Sequence, residues 1–475
     1  MTFINLLGLG ILARILDPSD FGLIAKVAAV TGIVALIGDM GLSIATIQSK
    51  SINKKQLSSL FWVNVIVSSS IALLIAAFSP LIAWFYLDNR VIWVAIAFGA
   101  NALLMGLGAQ HLAILSRHMR FSLIAVINIL ASIAGIGCAI LVAPFVGYFA
   151  LLVQLAGTSG CRTLGYWLYS GWVPTFHLRN TGVRDKLKMG GNYTLSTFIN
   201  YFARNGDNVM IAKVWGEAAV GFYSKAYGLL LLPMKQLTGP MSKVAVPALS
   251  RLQNEPEQYR SFFRKGVSIA MVLQVPITIF AAVAGAEIVL TILGPNWTAC
   301  IPIFYALIPN LFISATAPAT QWVFISRGDT ARLVKAVCVN SAFTLIGFLI
   351  GLPYGPIGVA LSYSITSCIS RIPIILYCFK PAPVSARDFF PFMIGPTICG
   401  LIAGAACLVC VLPIANSPAW ILLLVKLICF AIVYALLIAT TTAGRDFFTR
   451  VFAHLKPALS RVSLLQRSSG GSSAT

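Results

Sequence analysis

Apolar runs long enough to cross a lipid bilayer follow one another along almost the whole chain, separated by short polar breaks. A hydrocarbon core about 30 Å thick takes about 20 residues of α-helix. A window of that length predicts fourteen spans, at 2–16, 22–47, 58–86, 91–115, 122–143, 146–169, 188–214, 218–249, 266–293, 300–325, 333–352, 356–379, 389–412 and 419–442. The first is short, as though the start of its helix were missing. The fold class read from this pattern is an all-α polytopic membrane protein. It divides into a six-span block at 1–169, a polar linker at 170–187, a second six-span block at 188–379, two additional spans at 389–442, and a tail at 443–475. The tail opens on an amphipathic stretch (Phe447, Phe448, Val451, Phe452, Leu455) and ends rich in Ser and Gly, which predicts an interfacial helix followed by disorder.

The two blocks look like copies. The stretch from Ala13 to Leu23 resembles that from Ala212 to Phe222, and at the same offset Lys26 falls on Lys225. Later, Pro144 to Arg162 mirrors Pro353 to Arg371 in spacing. Duplicated halves are common in transporters, with the substrate path at their interface.

Composition supports the membrane reading, since 58% of residues are hydrophobic and only 10% charged, against about 25% charged in a soluble domain. The charges are lopsided, with 34 Lys plus Arg against 13 Asp plus Glu. The basic residues fall between apolar runs, which fits membrane anchoring rather than nucleic-acid binding. One set of loops, together with the tail, carries nearly all of them, including Lys54, Lys55, Arg117, Arg120, Arg184, Lys186, Arg260, Arg264, Lys380 and Arg387. The alternate set carries Arg90 and no other basic residue. Positive residues stay on the cytoplasmic side, so both termini are expected there, and an even number of spans satisfies this. The alternate loops are short, such as Asp17 to Asp20, and leave no room for a catalytic domain. The ten cysteines sit mostly inside apolar runs, and Cys407 and Cys410 form a C-x-x-C without a partner pair. The four histidines lack metal-ligand spacing. No metal and no cofactor is expected.

An ionisable group inside a span costs at least ~2.5–3.5 kcal/mol at mid-helix, so each is a functional candidate. The basic ones within or near spans are Arg14, Lys26, Arg162, Arg204, Lys213, Lys225, Lys235, Lys243, Lys335, Arg371 and Lys426, against Asp39, Asp207 and Glu287 as the only acids there. So few acids cannot neutralise so many bases, and the surplus must snorkel to the interface or face a hydrated cavity. Arg162, Lys243, Lys335 and Arg371 lie near cytoplasmic ends, which suits snorkelling. Lys426 is isolated in an appended span and reads as structural. Arg14 and Lys213 lie near the opposite ends, where the positive-inside rule does not favour them. Lys26 and Lys225 occupy equivalent sites in spans two and eight. Span seven sets Asn200, Arg204, Asp207 and Asn208 on one face, a face for water or a packed polar core, with Arg204 and Asp207 spaced to pair. Asp39 and Asp207 are the candidates for a coupling proton or sodium ion, though either could instead hold a lysine in place. A cationic cavity suits an anionic cargo, and diphosphate is matched by Arg as a fork and by Lys as a point charge.

The run from Leu12 to Gly22 resembles the first-loop signature of polysaccharide flippases of the Wzx type, in their colanic-acid-exporter-like branch. Leu60 to Asn64, Gly221 to Ala226, Val246 to Gln253 and Gly355 to Leu361 resemble the same family in order and spacing, over nearly the whole chain. The resemblance implies the multidrug/oligosaccharidyl-lipid/polysaccharide exporter superfamily, with two six-helix lobes in a V plus two C-terminal helices. It implies a cargo, an undecaprenyl-diphosphate-linked oligosaccharide such as an exopolysaccharide or O-antigen repeat unit. That cargo would be flipped across the bacterial inner membrane by ion-coupled alternating access. Membrane lipids, a polysaccharide polymerase and a chain-length regulator are the implied partners. Carried onto this sequence, the cavity would be bordered by Arg14, Lys26, Asp39, Arg204, Asp207, Lys213 and Lys225. The resemblance also implies residues before the first helix, which this chain would lack.

Three rivals stand beside this reading. A drug/cation antiporter of the same superfamily carries cationic cargo, which the intramembrane bases disfavour. A glycan-assembly enzyme needs an exposed catalytic constellation, and no loop offers paired acids or a His cluster. An ATP-driven exporter needs a phosphate-binding Gly-rich loop, absent here. A non-catalytic scaffold for glycan assembly remains as the plain alternative.

Overall fold

The computed structural model describes residues 2–38, 46, 53–176, 184–380, 382–441 and 444, while the side chains of 33–38, 184–204, 330 and 386 lie outside that description. All regular structure among the described residues is helical. In chain order the α-helices are α1 (Thr2–Ile15), α2 (Pro18–Gly38), α3 (Lys54–Tyr86), α4 (Arg90–Arg117), α5 (Phe121–Val146), α6 (Phe149–Ser170) and α7 (Arg184–Arg251). They continue as α8 (Pro256–Ile292), α9 (Cys300–Ser314), α10 (Ala317–Ser326), α11 (Thr330–Gly351), α12 (Gly355–Phe379), α13 (Pro391–Val411) and α14 (Ala419–Thr440). Among the described residues, eight helical stretches are long and apolar enough to cross a membrane. The multi-spanning helical architecture therefore holds. The number fourteen remains an expectation of the sequence, since α1 has only 14 residues and the first arm of α7 is rich in polar side chains. The tail from Arg445 lies outside the described residues.

Local chemistry sets where helices start and stop. Asn53 caps α3: its Oδ1 accepts from the Gln56 amide at 2.7 Å, and the Gln56 side chain reaches back to the Asn53 amide. At the far end Leu87 takes the left-handed conformation, φ 56°, which turns the chain sharply into α4 and sets Asp88 in the corner. Gly216 has φ 82° and ψ −173°, a conformation open to glycine. It breaks α7 between the two spans expected there and places Glu217 at the start of the second arm.

The chain forms two compact units. The first comprises Met1–Tyr227, Val289–Ala306 and Ser341–Thr366. One part of its core is built from Leu23, Val27, Ile71, Ile75, Val91 and Val94. Its helices pack on small residues: a Cβ at Gly135 of α5 would meet Thr158 and Gln154 backbone atoms of α6 within 3 Å, as expected where helices associate without a hydrophobic drive. Phe145 is 86% exposed and Leu168 79%. Side chains of that kind facing outward suit lipid, not water.

The second unit comprises Gly228–Ile288, Leu307–Asn340 and Ser367–Thr475, around Tyr259, Phe263, Trp322, Phe379 and Phe389. Its buried polar groups are paired in turn: Trp322 donates to Ser242 Oγ at 2.9 Å, and Tyr259 meets Ser326 at 2.8 Å. Asp388, 2% exposed, accepts from Arg260 at 2.8 Å and from the Ser385 amide at 2.9 Å, tying the α12–α13 connection to the head of α8. Lys426 packs as a structural residue, as its place in an appended span suggests, but it is not isolated. Its ammonium donates to Glu287 Oε1 at 2.6 Å and to the Val283 carbonyl at 2.9 Å. It does so where Ala284, at φ −118° and ψ 19°, distorts α8. A helix distortion exposes carbonyls, and the lysine of α14 fills that need.

Candidate functional site

Within the first unit the two stretches that resemble each other in sequence, Ala13 to Leu23 and Ala212 to Phe222, meet where the chain turns between α1 and α2, and between the two arms of α7. The contact is reciprocal. A Cβ on Gly22 would collide with the Glu217 carbonyl oxygen, and one on Gly221 with the Pro18 carbonyl oxygen. Gly22 and Gly221 are equivalent under the repeat offset, and so are Pro18 and Glu217. The backbones of α2 and of the second α7 arm therefore cross about a local pseudo-two-fold, with glycine at each point of closest approach.

Two cations reinforce the crossing in the same reciprocal way. Arg14, at the end of α1, donates to the carbonyls of Gly10 at 2.9 Å, Ile292 at 3.2 Å and Thr291 at 2.6 Å. The last two are the terminal carbonyls of α8. Lys213, its repeat counterpart, donates to the Phe85 carbonyl at the end of α3 and sits 4.7 Å from the Phe85 ring. Each first-helix cation thus caps the third helix of the opposite half, where carbonyls lack partners and the helix dipole is negative. Trp297 closes the seam, giving its indole proton to the Ala13 carbonyl at 2.9 Å and standing edge-on to Phe21 and Phe222.

Beside the crossing lies a buried ionic network. Lys26 Nζ is 2.7 Å from Asp88 Oδ2 and 2.8 Å from Glu217 Oε1, with 3% of its side chain exposed. Arg90, half exposed, binds the same two carboxylates, at 3.1 Å to Asp88 and 2.6 Å to Glu217. Two cations face two carboxylates, so the group is neutral as a whole. That balance is what permits charge at this depth. Burial pushes the Asp88 carboxyl up, but the hydrogen bonds from Arg90 and Lys26 outweigh it and hold it well below its ordinary 3.8.

Lys225 is differently placed. The repeat offset puts Pro18 where a first-half counterpart of Glu217 would have to be, so the first half offers Lys225 no carboxylate like the one that Glu217 of the second half gives Lys26. Lys225 Nζ stands 4.3 Å from the centre of the Phe21 ring, and no carboxylate among the described residues pairs with it. One turn away Cys300, fully buried, donates its thiol to the Phe222 carbonyl at 3.4 Å. Asp207, 2% exposed, accepts from the Tyr223 hydroxyl at 2.8 Å and from the Asn208 amide at 2.7 Å.

The structure therefore brings Arg14, Lys26, Lys213 and Lys225 together at one end of the first unit. Asp39 and the Arg204 side chain lie outside the described residues. Arg162 reaches Ser132 Oγ on α5 at 3.5 Å and Arg371 reaches Thr316 Oγ in the α9–α10 turn at 2.8 Å, so each has a neighbouring hydroxyl as a partner. The sequence does not single out Asp88, Glu217, Phe21 or Trp297 for the site, and it places Arg90 only as a loop charge. The acids lie in turns, outside the spans in which a neutralising charge is expected. A signal was present, since Arg90 is the one basic residue in its set of loops and needs a reason to be there.

The chain is 25% identical over 386 residues to the lipopolysaccharide biosynthesis protein WzxC of Escherichia coli (strain K12), covering 80% of this chain and 78% of that protein. It is 24% identical over 367 residues to the succinoglycan biosynthesis transport protein ExoT of Rhizobium meliloti (strain 1021), covering 71% and 74%. Among solved structures it resembles the lipid II flippase MurJ in an inward closed conformation, with a TM-score of 0.74 and 15% identity over 94% of this chain and 98% of that one, which shows a shared fold. A family model described as polysaccharide biosynthesis protein matches residues 11–302. That range contains both crossing glycines, both capping cations and the whole ionic network, so the chain belongs to this family of polysaccharide biosynthesis proteins.

Proposed function

We propose that the protein is a flippase that carries an undecaprenyl-diphosphate-linked oligosaccharide, an exopolysaccharide or O-antigen repeat unit, across the bacterial inner membrane. The names of its curated relatives and the fold shared with a lipid II flippase support this reading. The observation that carries it is Lys225, a cation held against an aromatic face at the junction of the repeated halves, with no carboxylate partner among the described residues. An ammonium in that position costs free energy unless an anion reaches it, and a diphosphate is such an anion. The lipid tail stays in the bilayer while the headgroup passes. Both termini lie in the cytoplasm on this reading, and the end with the short loops faces outward. Transport alternates access between the two sides and is coupled to an ion at Asp207, with Asp39 as the second candidate. Arg14 and Lys213 keep a place in the site as the groups that shape it, and Arg204 stands on the same helix as Asp207. A polysaccharide polymerase and a chain-length regulator take the product onward.

The test is reconstitution in liposomes, following a lipid-diphosphate oligosaccharide between leaflets. Lys225→Gln is expected to slow movement at least tenfold, an order-of-magnitude figure for loss of a charge-assisted contact, with insertion intact, and Lys225→Arg to retain it. Wild-type speed in Lys225→Gln would overturn the proposal.

A further inference from the structure

We infer that Glu217 is an exchangeable counter-ion, and that the diphosphate of the cargo replaces it when the halves part at this end of the molecule. The inference rests on the flippase reading and extends it to Asp88, Arg90 and Glu217, which that reading leaves without a role.

Lys26, Arg90 and Asp88 all belong to the first half, and Glu217 alone comes from the second. Closed, the four are balanced. Parting removes Glu217 and leaves Lys26, Arg90 and Asp88 with one net positive charge, centred on a lysine whose side chain is 3% exposed. The same movement takes Phe21 away from Lys225. A single separation thus strands two lysines, one in each half, at equivalent positions of the repeat. A diphosphate diester has two anionic phosphoryl groups and can serve both. An uncharged sugar or lipid can serve neither. Parting without an anion is costly, so the network ties separation to the presence of cargo. Asp88 stays with Lys26 and Arg90 throughout and keeps the first half from carrying two bare cations. Glu217 is therefore a positioning residue that makes opening conditional.

Cys300 supplies a native probe, because its buried thiol lies behind the seam closed by Trp297. The full-length protein, with its other cysteines replaced by serine, is placed in liposomes and treated with a membrane-impermeant maleimide. In the wild-type background labelling is expected to rise about tenfold with a lipid-diphosphate oligosaccharide, as for a ligand that shifts a two-state population. It is expected to stay at the basal rate with the same lipid and sugar joined without phosphate. Glu217→Gln is expected to label without cargo as fast as wild type does with it, and Glu217→Asp to restore the dependence. Labelling of wild type that ignores the phosphate overturns the inference with no variant needed, and so does Glu217→Gln that stays protected until cargo is added. If the protein moves no lipid-diphosphate oligosaccharide at all, the flippase reading fails instead, and the separate flipping assay shows which has happened.

Discussion

Gly22 and Gly221 stand at equivalent points of the two repeats, and each lies against the backbone of the other's half, Gly22 on the Glu217 carbonyl and Gly221 on the Pro18 carbonyl. A side chain at either point must push apart two helices that now touch through backbone. Gly221→Val is expected to destabilise the protein by about 1–3 kcal/mol, the usual cost of overpacking, and Gly22→Val by a similar amount. Thermal unfolding in detergent checks both. A large effect at one position only would mean the crossing is not reciprocal.

Removing one member of the ionic network should cost more than removing two. Lys26→Met leaves Asp88 and Glu217 without the buried cation they share, and loss of one partner from a buried pair costs about 3–5 kcal/mol. Adding Glu217→Gln to Lys26→Met is expected to recover part of that loss. A double-mutant cycle on thermal stability measures the coupling.

The network is not expected to act as a pH switch. The folded Asp88 carboxyl is held below its ordinary 3.8, so its contribution is fully present above that value and is lost as pH falls below it. The stability difference between wild type and Asp88→Asn should stay constant from about pH 5 to 8 and shrink below about pH 4. Unfolding measured across that range checks the sign.

Glu287 and Lys426 join α8 to α14 through a buried contact of 2.6 Å. Lys426→Met is expected to cost about 3–5 kcal/mol by stranding Glu287, while Lys426→Met with Glu287→Leu should recover most of the loss. Protease sensitivity of the α13–α14 connection would report the same loosening without an activity assay.

Asp207 tests the ion-coupling part of the proposal. An imposed proton or sodium gradient should accelerate flipping by the wild type and leave Asp207→Asn unchanged, with basal movement surviving in the variant. Equal acceleration of both would move the coupling site elsewhere.

The sequence showed the fold class and offered the repeat offset and the four cations as candidates, because span length, charge asymmetry and repeat offset are all local or periodic signals. It did not show how those cations are used. Lys26 and Lys225 are equivalent in the sequence, yet one is neutralised and the other is not. The difference is made by Glu217 standing where the first repeat has Pro18, in a turn formed by the left-handed Gly216. Asp88 reaches the site through the equally unusual turn at Leu87. Lys426 looked solitary because its partner is far away in the chain and on another helix. Partnerships of this kind depend on tertiary packing, and no spacing rule within one helix reveals them.

Whether Lys225 receives the phosphate is tested most directly by a binding measurement on the intact protein. The affinities of wild type and Lys225→Gln are compared for one lipid-linked oligosaccharide with the diphosphate and for the same molecule without it. The expected result is weaker binding of the diphosphate form by about tenfold in the variant, the scale of a lost charge-assisted contact, with no change for the phosphate-free form. Equal losses for both forms, or no loss for either, would contradict it.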